Sequence, residues 1–285
     1  MGGEVLPFWE NIEFWREPML AAIITAISCG FIGIYVVLKR VVFVAAALSQ
    51  IASVGVVVAY WILVSMGIME GETTSFFLKP FFMSFVFVII GAFLLSFESR
   101  SKRITQESIV GFVYLIASAF VLLIGSQIPQ GSHDINNILF GNAVAVELSQ
   151  VELLALVSFI LFVIHIIFYK EFIFVSFDKD TAQSLGIPTT FFNILLMVSI
   201  GVLIAVATRT IGALPVFSFV VLPPIVGLLL ANSIITAFVI SIIIGILSAT
   251  FGYYLSWIWQ LPTGATMSAV SAIFVILASI LRYFK

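Results

Sequence analysis

Long apolar runs, separated by short polar or charged segments, dominate the chain from about residue 19 to its end. Each run holds roughly 20 residues, and as an α-helix rising about 1.5 Å per residue it matches a hydrocarbon core of about 30 Å. The pattern predicts an all-α fold, a polytopic transmembrane helical bundle of about nine spans. They lie near Met19–Leu38, Val41–Met66, Phe76–Phe97, Ile109–Ile128, Val151–Tyr169, Phe191–Thr208, Gly212–Ala231, Ile234–Leu255 and Ala265–Leu281.

Composition supports the membrane assignment. Of the 285 residues, 62% are hydrophobic and 9% are charged, whereas a soluble domain has about 45–50% and about 25%. This composition predicts membrane lipid as the surroundings of the chain. A net charge of −2 gives no indication of a nucleic-acid partner, and none is expected. The only cysteine, Cys29, lies inside the first run, which excludes a disulfide framework within the chain.

Basic residues predict the orientation. Nine of the 12 Lys and Arg fall on one side of the predicted spans, which leaves Arg16, Lys79 and Arg209 for the other side. The nine are Lys39, Arg40, Arg100, Lys102, Arg103, Lys170, Lys179, Arg282 and Lys285. By the positive-inside rule the N-terminus is outside and the C-terminus is cytoplasmic, in the cell inner (plasma) membrane. Arg209, isolated between two spans, either marks a turn at the outer interface or lies against a buried carboxylate.

The start of the chain differs from the rest. Residues 1–18 mix bulky aromatics, including Trp9 and Trp15, with four glutamates. This mixture predicts a separate amphipathic segment on the outer surface, with the tryptophans at headgroup depth. Residues 19–285 are then expected to form a single transmembrane domain.

Motifs for bond chemistry are missing. The chain has no Gly-x-x-x-x-Gly-Lys-Ser/Thr loop, no His-Glu-x-x-His and no Gly-x-Ser-x-Gly elbow. Its two histidines are His165, in the fifth span, and His133, beside Asp134 in an outer loop. We therefore expect no enzyme activity and no ATP hydrolysis by this chain alone. Prolines at Pro223 and Pro224 interrupt a helix at membrane depth, which either lines a cavity or produces a simple kink.

Four segments occur in a specific order. They are residues 33–55, beginning GIYVVLKR; residues 134–142, DINNILFGN; residues 178–188, DKDTAQSLGIP; and residues 212–223, followed by PTGA at 262–265. In this order and spacing they resemble the membrane permease subunit of ABC importers for zinc, manganese or iron, the ABC-3 family. The resemblance covers nearly the whole chain, from about Met19 to the end.

The resemblance implies the partners. Permeases of this family form a homodimer around a central path, receive cargo from an extracytoplasmic solute-binding protein and bind a cytoplasmic ATPase subunit. That subunit uses the ATP, and no cofactor is expected on this chain. A coupling helix near residues 176–190 is expected to contact the ATPase through Asp178, Asp180, Ala182 and Gly186. Ala182 and Gly186, four positions apart, are expected on one helical face, where small side chains allow close docking. The alternative is an ordinary solvated loop.

One departure from the family pattern concerns the cargo. The second span of the family carries an Asp and a His that resemble metal ligands, and the aligned positions here are Ala46 and Gln50. Alanine has no ligand atom and an amide oxygen is a poor zinc ligand, so the metal ligands are unknown. Ser49, Gln50 and Pro223 are candidates for the path, although Gln50 equally suits a helix-to-helix hydrogen bond. The expected function is import of a divalent metal; the alternatives are a metal chelate as cargo or a stand-alone secondary transporter.

Overall fold

The computed structural model describes residues 12–67, 78–97, 105–128 and 146–284. Within these ranges the chain forms α-helices and no strand. In chain order the helices are α1 Ile12–Leu38, α2 Phe43–Ser65, α3 Pro80–Ser96, α4 Gln106–Gly125, α5 Leu148–Ile167, α6 Tyr169–Phe177, α7 Lys179–Ser184, α8 Thr189–Ile211, α9 Ala213–Leu230, α10 Ile234–Trp259 and α11 Thr263–Tyr283.

The predicted transmembrane bundle is confirmed. Among the described residues, eight helices are long and apolar enough to cross a membrane, and the 17-residue α3 is a shorter apolar helix. At about 1.5 Å per residue α3 is about 25 Å long, slightly less than the hydrocarbon core. With α3 the apolar helices correspond one for one to the nine predicted spans.

The first span begins earlier than expected. Helix α1 starts at Ile12 and includes Pro18, so residues 12–18 are its first turns and not a separate segment. Pro18 is the seventh residue of α1, beyond the four N–H groups that have no partner in any helix, so it removes the bond that an N–H at this position would make to the Phe14 carbonyl. Residues 1–11, including Trp9, lie outside the described ranges, and the interfacial location of the segment stays a prediction.

The division between the sixth and seventh spans is sharp. Helix α8 ends at Ile211 and α9 begins at Ala213, with Gly212 between them at φ 92°, a left-handed value that a residue with a Cβ adopts only under strain. Arg209 is exposed one turn earlier, and its guanidinium lies 5.2 Å from the centroid of the Phe81 ring. This placement agrees with a turn at the interface and not with a buried carboxylate pair.

Small residues bring the central helices together. Helix α9 packs against α1, α10 and α11, while α2 packs against α3 and α4. A Cβ added at Gly227 would lie 2.5 Å from the Ala237 carbonyl oxygen, and one added at Gly245 would lie 2.9 Å from that of Ala26. Such contacts are shorter than real Cβ contacts, so the backbones approach closely at these glycines. Close approach through small residues is the usual way in which transmembrane helices pack.

The proline-interrupted helix α9 is part of this core. Pro223 and Pro224 are both buried, and Pro224 lacks the N–H that would normally bond the Val220 carbonyl oxygen. A Cβ on Gly33 of α1 would lie 2.1 Å from that oxygen. The α1 backbone therefore covers the carbonyl that the proline leaves without its helical donor.

Candidate functional site

One face of α2 carries a polar residue at membrane depth. Phe43, Gln50, Val54 and Trp61 have spacings of seven, four and seven, which place them on one side of the helix, and each is at least partly exposed. Gln50 lies about 10 Å along the axis from the start of α2. No hydrogen bond joins its amide to another described residue. The face is thus apolar except for one amide without a partner in the described part of the chain.

The other predicted path residues are placed differently. Ser49 is buried, and its hydroxyl donates to the Ala45 carbonyl oxygen of its own helix at 2.9 Å. Ala46 is also buried and brings no ligand atom. Pro223 lies inside the bundle on α9, whereas Gln50 reaches the surface of the chain. Of the three candidates for the path, only Gln50 therefore reaches the exposed face of α2.

The expected coupling element contains a short helix, α7, with a side-chain cap. The Asp178 carboxylate accepts hydrogen bonds from the Thr181 backbone N–H at 3.0 Å and from the Thr181 hydroxyl at 2.6 Å. These two bonds hold the pKa of the Asp178 carboxyl below its usual value. Asp180 is exposed in the first turn of α7. A carboxylate at the start of a helix satisfies free N–H groups and favours the helix dipole.

The expectation that Ala182 and Gly186 share a helical face is wrong. Helix α7 ends at Ser184, and Gly186 follows with φ 79°. The Gly186 N–H donates to the Gln183 carbonyl and the Ile187 N–H to the Ala182 carbonyl, each at 3.0 Å, which is a Schellman termination with glycine in the left-handed position. Ala182 is buried within this chain while Gly186 is exposed.

Two exposed apolar side chains flank α7, and sequence reasoning missed them. Phe177 is 74% exposed and Leu185 is 61% exposed, on either side of a helix whose own side chains are mostly polar. Large apolar side chains exposed in a polar setting are candidates for a contact surface. The signal in the sequence was Leu185 itself, the only large apolar residue between Asp178 and Gly186.

Metal ligands are sparse in the part of the chain that the structure describes. No group of three or more His, Cys, Asp or Glu side chains there is arranged to hold a metal ion. His165 is buried in α5 and Cys29 is buried in α1. The His133–Asp134 pair and the DINNILFGN segment lie outside the described residues.

The comparison with known families decides the assignment. The model of the ABC 3 transport family matches residues 11–282, nearly the whole chain. The chain belongs to the ABC 3 transport family. The predicted resemblance is therefore confirmed, and the protein is a multi-pass membrane permease of the ABC type.

Two relatives are similar to this chain over most of its length. The manganese transport system membrane protein MntC of Halalkalibacterium halodurans is 27% identical over 268 residues, covering 94% of this chain and 87% of the relative. The chelated iron transport system membrane protein YfeD of Yersinia pestis is 24% identical over 273 residues, covering 95% and 86%.

Solved structures show the same fold. The structure of PsaBC from Streptococcus pneumoniae in complex with Fab matches with a TM-score of 0.78 and 20% identity, over 96% of this chain and 94% of that chain. An inward-facing putative metal-chelate type ABC transporter matches with a TM-score of 0.74 and 14% identity, over 99% and 92%. The bundle of this ABC 3 family member is thus that of ABC transporter permeases.

Proposed function

We propose that this chain is the permease subunit of an ATP-driven importer for a divalent metal, namely zinc, manganese or iron. The observation that carries the proposal is the family match over residues 11–282, together with relatives named for manganese and chelated iron transport. An extracytoplasmic solute-binding protein delivers the cargo. A stand-alone secondary transporter is disfavoured by the same match, because the family belongs to ABC transport.

A separate cytoplasmic ATPase subunit supplies the energy in this proposal. The sequence has no phosphate-binding loop of its own. The positive-inside rule puts α7 on the cytoplasmic side, with the N-terminus outside and the C-terminus inside. Phe177, Leu185 and the capped α7 between them then form the contact with the ATPase. Nucleotide shifts the permease between its two states only if the nucleotide-bound ATPase binds one of these states better than the other.

Two copies of the permease are proposed to face each other across the exposed side of α2. An amide with no partner at membrane depth is costly in lipid. An amide both donates and accepts, so the Gln50 amide of a second, two-fold related copy satisfies it. The path then runs between the copies, with Gln50 as its polar residue.

Cross-linking tests this arrangement. Cys29 is the only native cysteine and is buried, so the Cys29→Ala, Gln50→Cys double variant has one reactive thiol per chain. In the purified complex with its ATPase, a short thiol–thiol cross-linker should convert most of the permease to a covalent dimer. The matched control is Leu115→Cys in the same background, on the exposed side of α4, which should stay monomeric on a denaturing gel. A cross-linked control with an unlinked Gln50→Cys variant would place the interface on α4 instead.

A metal chelate is the second candidate cargo. Ala46 and Gln50 stand where the family pattern has an Asp and a His, and neither is a strong ligand for a bare divalent ion. One relative is named for chelated iron and one matching structure for metal-chelate transport. A chelate needs no direct ligation by the permease, which makes the neutral Gln50 compatible with it.

Uptake by reconstituted vesicles tests the function. Vesicles containing the permease, its ATPase and its binding protein are expected to accumulate one of zinc, manganese or iron when ATP is supplied on the ATPase side. Omitting the binding protein or replacing ATP with a non-hydrolysable analogue should abolish accumulation. Uptake of a metal chelate but of no free ion would establish the second candidate. Uptake driven by an ion gradient without ATP would overturn the proposal.

A further inference from the structure

A buried histidine and a buried tyrosine meet where α5 joins α6. The side chains of His165 on α5 and Tyr35 on α1 are both 0% exposed. Their ring centroids are 5.4 Å apart, with the ring planes tilted by 43°. Aromatic rings surround the pair: Phe31, Phe172 and Phe238 all lie within contact distance of Tyr35. The two polar side chains therefore lie in an apolar enclosure.

The hydrogen bond of one ring nitrogen defines the state of the other. His165 Nδ1 lies 2.9 Å from the Leu161 carbonyl oxygen, which can only accept a hydrogen bond, so Nδ1 carries the proton. In the neutral ring Nε2 is then a free acceptor. It is buried without a hydrogen-bond partner among the described residues. A buried acceptor of this kind is costly unless something donates to it.

The neighbouring tyrosine has the complementary need. The Tyr35 hydroxyl is likewise buried, with no hydrogen-bond partner in the described part of the chain. The hydroxyl is a hydrogen-bond donor and Nε2 is an acceptor, yet no direct hydrogen bond joins the two residues. An ordered water molecule can bridge two buried polar groups that do not reach each other, where the space between them holds a water and each group offers it a hydrogen bond.

We infer that one water molecule bridges Tyr35 and His165. The water donates one hydrogen to His165 Nε2, and the Tyr35 hydroxyl donates to the water oxygen. Both orphaned polar atoms then have a hydrogen-bond partner. The bridge fastens α1 to the last turn of α5.

The position of the bridge gives it a role in the coupling pathway. His165 stacks on Phe172 of α6 with ring centroids 4.3 Å apart and planes 12° from parallel. Phe172 also meets Phe192 of α8 edge to face. Helix α6 leads directly into the capped helix α7. This step rests on the proposed function: Tyr35 and His165 are positioning residues that hold the joint between the bundle and the ATPase contact.

Histidine nitrogen resonances test the bridge directly. The chain has only two histidines, so a His133→Gln background leaves one signal pair from ¹⁵N-histidine-labelled permease in lipid nanodiscs. Tyr35→Phe keeps the ring and removes only the hydroxyl. We expect it to move the His165 Nε2 resonance toward that of an unbonded acceptor and to leave Nδ1 in place. An unchanged Nε2 resonance would overturn the bridge, and so would a resolved structure with a direct Tyr35–His165 bond and no water.

A double-variant cycle separates the bridge from general packing. Tyr35→Phe alone should lower the midpoint of thermal unfolding by about 2–4 °C, because it leaves Nε2 with a poorer partner. Adding His165→Phe removes the orphaned nitrogen as well, so the double variant should lose less than the sum of the two single variants. Strict additivity would contradict the inference. Neither measurement involves ATPase or cargo, so a failure here leaves the proposed transport function untouched.

Discussion

Gly33→Ala is expected to destabilise the permease strongly, because the added methyl group has no space. A Cβ at Gly33 would lie 2.1 Å from the Val220 carbonyl oxygen and 2.6 Å from the Pro224 ring. The first obstacle is backbone and the second is a rigid ring, so neither yields as a flexible side chain would. Overpacking usually costs about 1–3 kcal/mol, and we expect the upper end or more. The midpoint of thermal unfolding in detergent should fall by about 6 °C or more.

Gly111→Ala is the matched control. Gly111 lies in α4, and a Cβ added there would meet no other atom within 4 Å. Alanine is favoured over glycine in a helix by about 1 kcal/mol, so this variant should be at least as stable as the parent. Equal stability of the two alanine variants would show that α1 and α9 do not approach as closely as the structure has them.

The same contact explains why distant segments of the sequence belong together. Gly33 opens the first of the four segments that carry the family resemblance, and Pro224 follows directly after residues 212–223 of the fourth. In the structure α1 and α9 pack against each other, and Gly33 covers the carbonyl that Pro224 leaves without a donor. A glycine and a proline some 190 positions apart are thus two halves of one packing contact.

Hydropathy was sufficient for the spans but not for their faces. The apolar runs predicted each membrane helix, and of the two alternatives for Arg209 the structure agrees with the turn at the interface. Hydropathy does not predict which side of a helix faces protein when every side is apolar, because lipid and the protein interior are equally apolar. Ser49 and Gln50 are adjacent in sequence, yet one is buried and the other reaches the surface.

The region around α7 shows a different limit. The expectation for Ala182 and Gly186 assumed that a spacing of four implies a continuous helix. The chain instead ends the helix at Ser184 and turns at Gly186. Glycine followed closely by proline, here Gly186 and Pro188, is a recognised stop signal that predicts this ending. Burial of Ala182 depends on packing against the rest of the bundle, which no local pattern contains.

Leu185→Arg is expected to release the ATPase subunit while leaving the permease folded. Leu185 is 61% exposed beside α7, so its replacement removes few contacts within this chain. In the proposed complex the same side chain is buried against the ATPase, where an arginine without a partner is costly to desolvate. Residues at the centre of an interface contribute much of its binding energy, so the ATPase retained on affinity-purified permease should fall at least about tenfold.

Leu261→Arg is the control that gives this result its meaning. Leu261 is 45% exposed in the turn between α10 and α11, at the opposite end of the bundle from α7 in the proposed orientation. It carries the same change of side chain and charge, yet it should retain the ATPase fully. Loss with Leu185→Arg alone locates the ATPase contact at α7 and supports a cytoplasmic position for it. Loss with Leu261→Arg alone would invert the proposed orientation, and equal retention in both variants would remove Leu185 from the contact.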